Sequence, residues 1–102
     1  MVEYRLVCRL EELPPGSARL FRSEGLDVAI FNVDGEIFAI EDTCLHAGGP
    51  LHEGSIQGTH VICPWHHWEF DLRDGSCALN PCHKLERYDV RVVDGVVEIG
   101  LR

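Results

Sequence analysis

The sequence predicts an all-β domain of antiparallel strands, folded as a sandwich or a small barrel. Short β-prone runs recur along the 102 residues, and Asp-Gly pairs follow several of them. Helical patterning is scarce, because Pro14-Pro15-Gly16 interrupts the only helix-like stretch, near Glu11 and Glu12. We therefore expect residues 1–102 to form a single domain of this class.

The strands follow from alternation and from turn residues. A first strand is predicted by the alternation of Tyr4, Leu6 and Cys8 with less apolar neighbours. Residues 26–33 and 36–40 flank Asp34-Gly35, which predicts a hairpin because both turn positions tolerate positive φ. The same pair recurs at residues 74–75, after the run 68–72, and at residues 94–95, between the runs 90–93 and 96–99.

Charge and cysteine content narrow the function classes. The formal charge of −8, from 17 acidic and 9 basic residues, disfavours nucleic acid and anionic membranes as partners. It favours a protein partner with a basic docking patch, although acidity serves solubility equally well. Five widely spaced cysteines make a poor disulfide framework. No signal peptide or membrane span is evident, so we expect a cytoplasmic protein.

Residues 42–54 do not fit the pattern of strands. A glycine-rich loop of this length in a compact domain is usually functional. It carries Cys44 and His46, and a second loop, residues 63–67, carries Cys63 and His66. Two Cys/His pairs on two loops can converge on one metal centre, because thiolate and imidazole bind soft and borderline metals.

The paired motif, Cys-x-His followed after sixteen residues by Cys-x-x-His, resembles that of the Rieske [2Fe–2S] family. Neighbouring residues match too: residues 44–51 are Cys-Leu-His-Ala-Gly-Gly-Pro-Leu, and residues 63–71 are Cys-Pro-Trp-His-His-Trp-Glu-Phe-Asp. The resemblance spans nearly the whole chain. It implies an all-β Rieske fold with a two-loop cluster-binding subdomain and one [2Fe–2S] cluster.

The resemblance also implies a role for each ligand. Cys44 and Cys63 would bind the inner iron, and His46 and His66 the outer iron near the surface. Residues 79–81, Leu-Asn-Pro, match the family's proline-containing loop more loosely. On the residues alone, the alternative is a Cys₂His₂ zinc site, which the spacing disfavours because each loop supplies one cysteine and one histidine.

Two departures separate this chain from respiratory members of the family. Their additional disulfide cysteines correspond to Gly49 and Trp65, so that disulfide is absent. Their sulfur-bonding serine and tyrosine correspond to Trp68 and Phe70, which predicts a low reduction potential. The sequence is more similar to the ferredoxin component of bacterial Rieske oxygenase systems.

That similarity implies a one-electron carrier without catalysis of its own. It would accept electrons from a flavoprotein reductase and pass them to a terminal oxygenase. A small Rieske-like subunit of a nitrite reductase complex is an alternative, and free carrier and permanent subunit both stay open. A zinc-stabilised binding module is a third possibility.

The other histidines and cysteines match no ligand position. His67 is expected to be a solvent-facing neighbour of His66. Surface or packing roles are expected for His52, His60 and His83, and burial as small apolar residues is expected for Cys8, Cys77 and Cys82. Trp65 and Trp68 could contact a partner, but packing in the core is the expected role of both.

Overall fold

A computed structural model of the protein describes residues 3–42, 50–65, 67–78 and 84–101. Within these ranges the strands are β1 (Glu3–Arg9), β2 (Ala18–Ser23), β3 (Leu26–Val33), β4 (Glu36–Glu41), β5 (Ser55–Gln57), β6 (His60–Ile62), β7 (Glu69–Asp71), β8 (Arg87–Val93) and β9 (Val96–Leu101). Two short 3₁₀ turns, Leu10–Glu12 and Leu51–Glu53, complete the regular structure of these ranges. No helix in this described part of the chain is long and apolar enough to cross a membrane.

The strands form two antiparallel sheets, which confirms the predicted fold class. Six strands pair in the order β1-β9-β8-β4-β3-β2, and three pair in the order β5-β6-β7. The smaller sheet carries the residues on either side of the second predicted ligand loop. It therefore positions Cys63, while the end of β4 positions the start of the first predicted loop.

The β3–β4 hairpin lies between two hydrophobic cores, and each of its faces packs against one of them. Ala29 and Phe31 join one core, which includes residues of the smaller sheet, whereas Val28 and Ile30 join the other, which includes residues of β9. All four side chains are fully buried. Burial on both faces explains why residues 26–33 are almost continuously apolar rather than alternating.

The predicted hairpin turns are confirmed at two positions and modified at a third. Both residues of Asp34-Gly35 and of Asp94-Gly95 have positive φ, as a two-residue hairpin turn requires. Residues 74–75 lie in a turn after β7, and in the described part of the chain up to residue 78 the returning residues pair with β7 through an isolated bridge between Phe70 and Cys77. Strand β2 and its turn at Glu24-Gly25, also of positive φ, were not predicted.

Strand β1 is confirmed, but its simple alternation is wrong. The register against β9 shifts between Leu6 and Cys8, which oppose the consecutive residues Glu98 and Val97. Two steps along β1, from Leu6 to Cys8, therefore oppose a single step along β9, which is a β-bulge. Side chains before and after the bulge point to different faces of the sheet. Leu6 is 65% exposed, whereas Cys8 is buried.

Candidate metal centre

Cys63 immediately follows β6, and its side chain is fully buried. Its amide donates to the Trp68 carbonyl oxygen at 2.7 Å, and its Sγ accepts a hydrogen bond from the Trp65 amide at 3.4 Å. A backbone N–H directed at a cysteine sulfur stabilises negative charge there, as a metal-bound thiolate requires. The donor chemistry at Cys63 therefore fits the predicted iron–sulfur group.

The other three predicted ligands, Cys44, His46 and His66, lie outside the described residues, as do Gly48, Gly49 and residues 79–83. Their convergence on Cys63 stays a prediction. Among the residues that the structure does describe, no group of three or more Cys, His, Asp or Glu side chains could hold a metal ion.

Asp42 immediately precedes the undescribed part of the first predicted loop and is buried. Its Oδ1 accepts the His52 amide at 2.6 Å, and its Oδ2 lies 2.7 Å from His52 Nδ1. Its own amide donates to the Asp27 carbonyl oxygen at 2.9 Å. The carboxylate thus joins the chain before the first ligand pair to the chain after it.

A second histidine–carboxylate pair flanks the other loop. His60 Nδ1, on β6, bonds Glu69 on β7, and His60 Nε2 lies 3.5 Å from Asp71 Oδ2. The Arg73 guanidinium bonds Asp71 at 2.8 Å and, with smaller contributions from its amide and from His60, lowers the pKa of that carboxyl to about 2. These side chains form a charged surface beside the second loop.

Several expectations about neighbouring residues are confirmed. His67 is exposed, with a φ of 60°, and Cys8 and Cys77 are buried. Trp68 is half-buried against the core that contains the fully buried Phe70, as its expected packing role requires. Cys82 and His83 lie outside the described residues.

One expectation is wrong: Trp65 is 50% exposed instead of packing in the core, because it follows Pro64 in a turn at the edge of the smaller sheet. His52 is partly buried, in line with the expected surface or packing role, and Asp42 binds both its amide and its ring, a pairing that sequence reasoning missed. The available sequence clue was an acid shortly before Cys44 and a histidine shortly after His46 in the same loop.

Comparisons with known proteins point to the family that the paired motif resembles. The sequence matches the Rieske [2Fe-2S] domain family over residues 3–91. It is 40% identical to the biphenyl dioxygenase ferredoxin subunit of Pseudomonas sp. (strain KKS102) over 87 residues, which cover 83% of this chain and 80% of that protein.

Two solved structures share the fold. The first is from the complex of reduced oxygenase and oxidised ferredoxin in carbazole 1,9a-dioxygenase, with a TM-score of 0.87 and 32% identity, covering 94% of this chain and 91% of that one. The second is assigned as the NADH-dependent nitrite reductase small subunit of Mycobacterium tuberculosis, with a TM-score of 0.94 and coverage of 100% and 97%. At 24% identity, this second similarity concerns the fold alone.

Proposed function

This chain belongs to the Rieske [2Fe–2S] family, and on that basis we propose that it carries single electrons from a flavoprotein reductase to a terminal oxygenase. The main support is its 40% identity, over most of both chains, to a dioxygenase ferredoxin subunit. A similar ferredoxin occurs in complex with its oxygenase in the carbazole dioxygenase system. The proposal takes residues 1–102 as one Rieske domain.

The ligands in this proposal are Cys44, His46, Cys63 and His66. Support comes from the paired motif and from Cys63, which is buried and accepts an amide hydrogen bond at sulfur. When bound, a [2Fe–2S] cluster supplies reversible one-electron chemistry. The polypeptide would hold it through these four side chains; Cys63 shares a buried hydrophobic core with Phe70, which keeps water from the Cys63 side chain, whereas Trp65 on the same loop is exposed.

The proposed low reduction potential rests on Phe70, which stands where the respiratory members of the family carry a tyrosine. Hydrogen bonds to sulfur stabilise the reduced, more negative cluster and raise its potential. Phe70 is fully buried in the apolar core and carries no hydroxyl. The position supplies no such bond, and this favours a potential suited to a flavoprotein donor over one suited to a quinol.

The chain acts in this proposal as a carrier and performs no catalysis of its own. The nitrite reductase alternative draws no specific support, because the structural similarity behind it is one of fold. A cytoplasmic location is also proposed. It is supported by Cys8 and Cys77, which form no disulfide in the described part of the chain, as expected of thiols in a reducing compartment.

Spectroscopy of the purified protein tests both the cofactor and its ligands. We expect a brown protein whose reduced form has the electron paramagnetic resonance (EPR) spectrum of a Rieske centre. Replacing any one of Cys44, His46, Cys63 or His66 by alanine should abolish or severely alter that spectrum. The matched control, His67→Ala, should retain it, because His67 is exposed. A brown His66→Ala protein beside a colourless His67→Ala protein would reverse the assignment.

Electron transfer is tested separately with a flavoprotein reductase and a terminal oxygenase of a Rieske dioxygenase system. Oxidised oxygenase should reoxidise the reduced protein stoichiometrically, continued reoxidation should require oxygenase substrate and dioxygen, and the reductase should then reduce the protein again. A folded, cluster-loaded protein that exchanges no electrons with either partner would contradict the carrier role.

A further inference from the structure

The two chain segments that carry the proposed ligands are closed differently at their bases. The second segment leaves and rejoins the β6–β7 ladder, where Ile62 pairs with Glu69 and the Cys63 amide donates to the Trp68 carbonyl oxygen. The first segment begins after β4. On its far side the described chain starts again at residue 50, just before the 3₁₀ turn Leu51–Glu53. Among the described residues, no backbone hydrogen bond joins the two ends of this first segment.

Asp42 and His52 connect the two described ends of this segment. Asp42 is held to β3 by its amide bond to the Asp27 carbonyl oxygen, and its carboxylate holds the His52 amide and ring. His52 follows Leu51, which is fully buried in the core. Both ends of the segment are thus anchored in the fold and joined to each other by one carboxylate.

The burial of this pair makes its geometry restrictive. The Asp42 side chain is 4% exposed and the His52 side chain 23% exposed. Hydrogen bonds shielded from water are stronger and less readily exchanged for water than those at the surface. A two-point contact, to the amide and to Nδ1, fixes the ring orientation as well as the backbone.

We infer that Asp42 and His52 are positioning residues that hold Cys44 and His46 at the geometry the cluster requires. This inference rests on the proposed ligand assignment. Neither side chain is proposed to bind iron. The pair sets the separation of the two chain ends, and with it the conformations open to the segment between them. Groups that orient metal ligands in this way commonly change metal retention when they are removed.

The His60–Glu69 pair supplies an internal control. It also joins a histidine to a carboxylate across a ligand-bearing segment, but both side chains are more exposed, at 30% and 38%. The β6–β7 ladder already closes that segment. Removal of His60 should therefore leave cluster retention unchanged, although it breaks a contact of the same chemical kind.

The experiment compares cluster-loaded variants by the rate at which they release iron to a chelator. His52→Ala should release iron about 10-fold faster or more, the size of effect typical of residues that support metal ligands. Its Rieske EPR features should broaden, because the ligands sample more geometries. His52→Asn should restore a rate near that of the unaltered protein, because its amide nitrogen can donate from a position close to that of Nδ1. His60→Ala should match the unaltered protein.

A double-mutant cycle separates the pair from general destabilisation. Asp42→Ala should accelerate release at least as much as His52→Ala, because it removes both the amide contact and the ring contact, whereas His52→Ala removes only the ring contact. The double variant Asp42→Ala/His52→Ala should therefore be no faster than Asp42→Ala. Additive acceleration, a His52→Asn protein as labile as His52→Ala, or a His60→Ala protein equally labile would each overturn the inference. An unaltered protein that binds no cluster would instead overturn the proposed function.

Discussion

Replacing Gly54 by alanine should destabilise the fold and loosen the cluster, although the backbone at this position suits any residue. Gly54 has a φ of −77° and a ψ of 169°, an ordinary extended conformation. A Cβ atom here would come far inside 3.0 Å of the Ile62 carbonyl oxygen. It would also lie 3.1 Å from the Leu51 carbonyl oxygen and 3.1 Å from Val61 Cγ2. Two of these three neighbours are backbone atoms, which cannot move away cheaply.

The magnitude follows from these contacts. Forcing a methyl group into a packed site typically costs about 1–3 kcal/mol of folding stability. Because Gly54 has backbone neighbours on two sides, we expect a cost of about 3 kcal/mol for Gly54→Ala. Lower entropy of the unfolded chain returns about 0.4–1 kcal/mol. The net loss of about 2 kcal/mol should lower the melting temperature by about 8–16 °C in a domain of this size. Because Ile62 immediately precedes Cys63, the displacement should also speed iron release.

The assay is thermal unfolding followed by circular dichroism, with the Rieske EPR spectrum as a second measurement. The matched control is Gly58→Ala, in the turn between β5 and β6, where nothing lies within 4 Å of an added Cβ but φ is +60°. That strained conformation should cost about 1–2 kcal/mol and leave the EPR spectrum unchanged. The reasoning would be refuted if Gly54→Ala had the melting temperature of the unaltered protein, or if its Rieske EPR spectrum were as little changed as that of Gly58→Ala.

Four further predictions concern the potential, acid stability, docking and iron removal. Voltammetry should give a midpoint of about −150 to −50 mV, and Trp68→Ser with Phe70→Tyr should raise it; a midpoint well above zero in the unaltered protein would contradict the low-potential assignment. Since Arg73 holds the pKa of Asp71 at about 2, below its ordinary 3.8, the stability from this pair is present above about pH 4 and is lost as pH falls towards 2. Asp71→Asn should therefore unfold slightly more easily than the unaltered protein near neutral pH, and only slightly because Arg73 is exposed. The difference should vanish near pH 2 in acid titrations; an undiminished difference there would exclude the ion pair as its cause. Stopped-flow electron transfer to the oxygenase should slow as salt rises, because exposed acids such as Glu53 lie in the same predicted loop as the first ligand pair; indifference to ionic strength would rule out docking on a basic surface. Removing iron should lower the melting temperature, because metal binding stabilises the folded state; equal melting of both forms in calorimetry would show that the cluster does not support the fold.

Much of the fold could be predicted from the sequence because its causes are local. The run of residues 26–33 and the Asp34-Gly35 turn combine β-propensity with two positions that accept positive φ, and both are strand and turn in the structure. The spacing of Cys63 and His66 within one short loop is likewise a local property. Membership of the Rieske family followed from such patterns, and the family match over residues 3–91 confirms it.

Tertiary structure decided what depends on residues distant in sequence. Leu6 is exposed because of a register shift against β9, which no pattern within β1 reveals. Asp42 and His52 are ten residues apart, and they meet only because β3 anchors one and the core beneath Leu51 anchors the other. Periodicity and turn chemistry report the conformation of neighbouring residues. Contacts across the ligand-bearing segment depend on how the strands that flank it pack. That packing depends on interactions along the entire chain and not on any one segment.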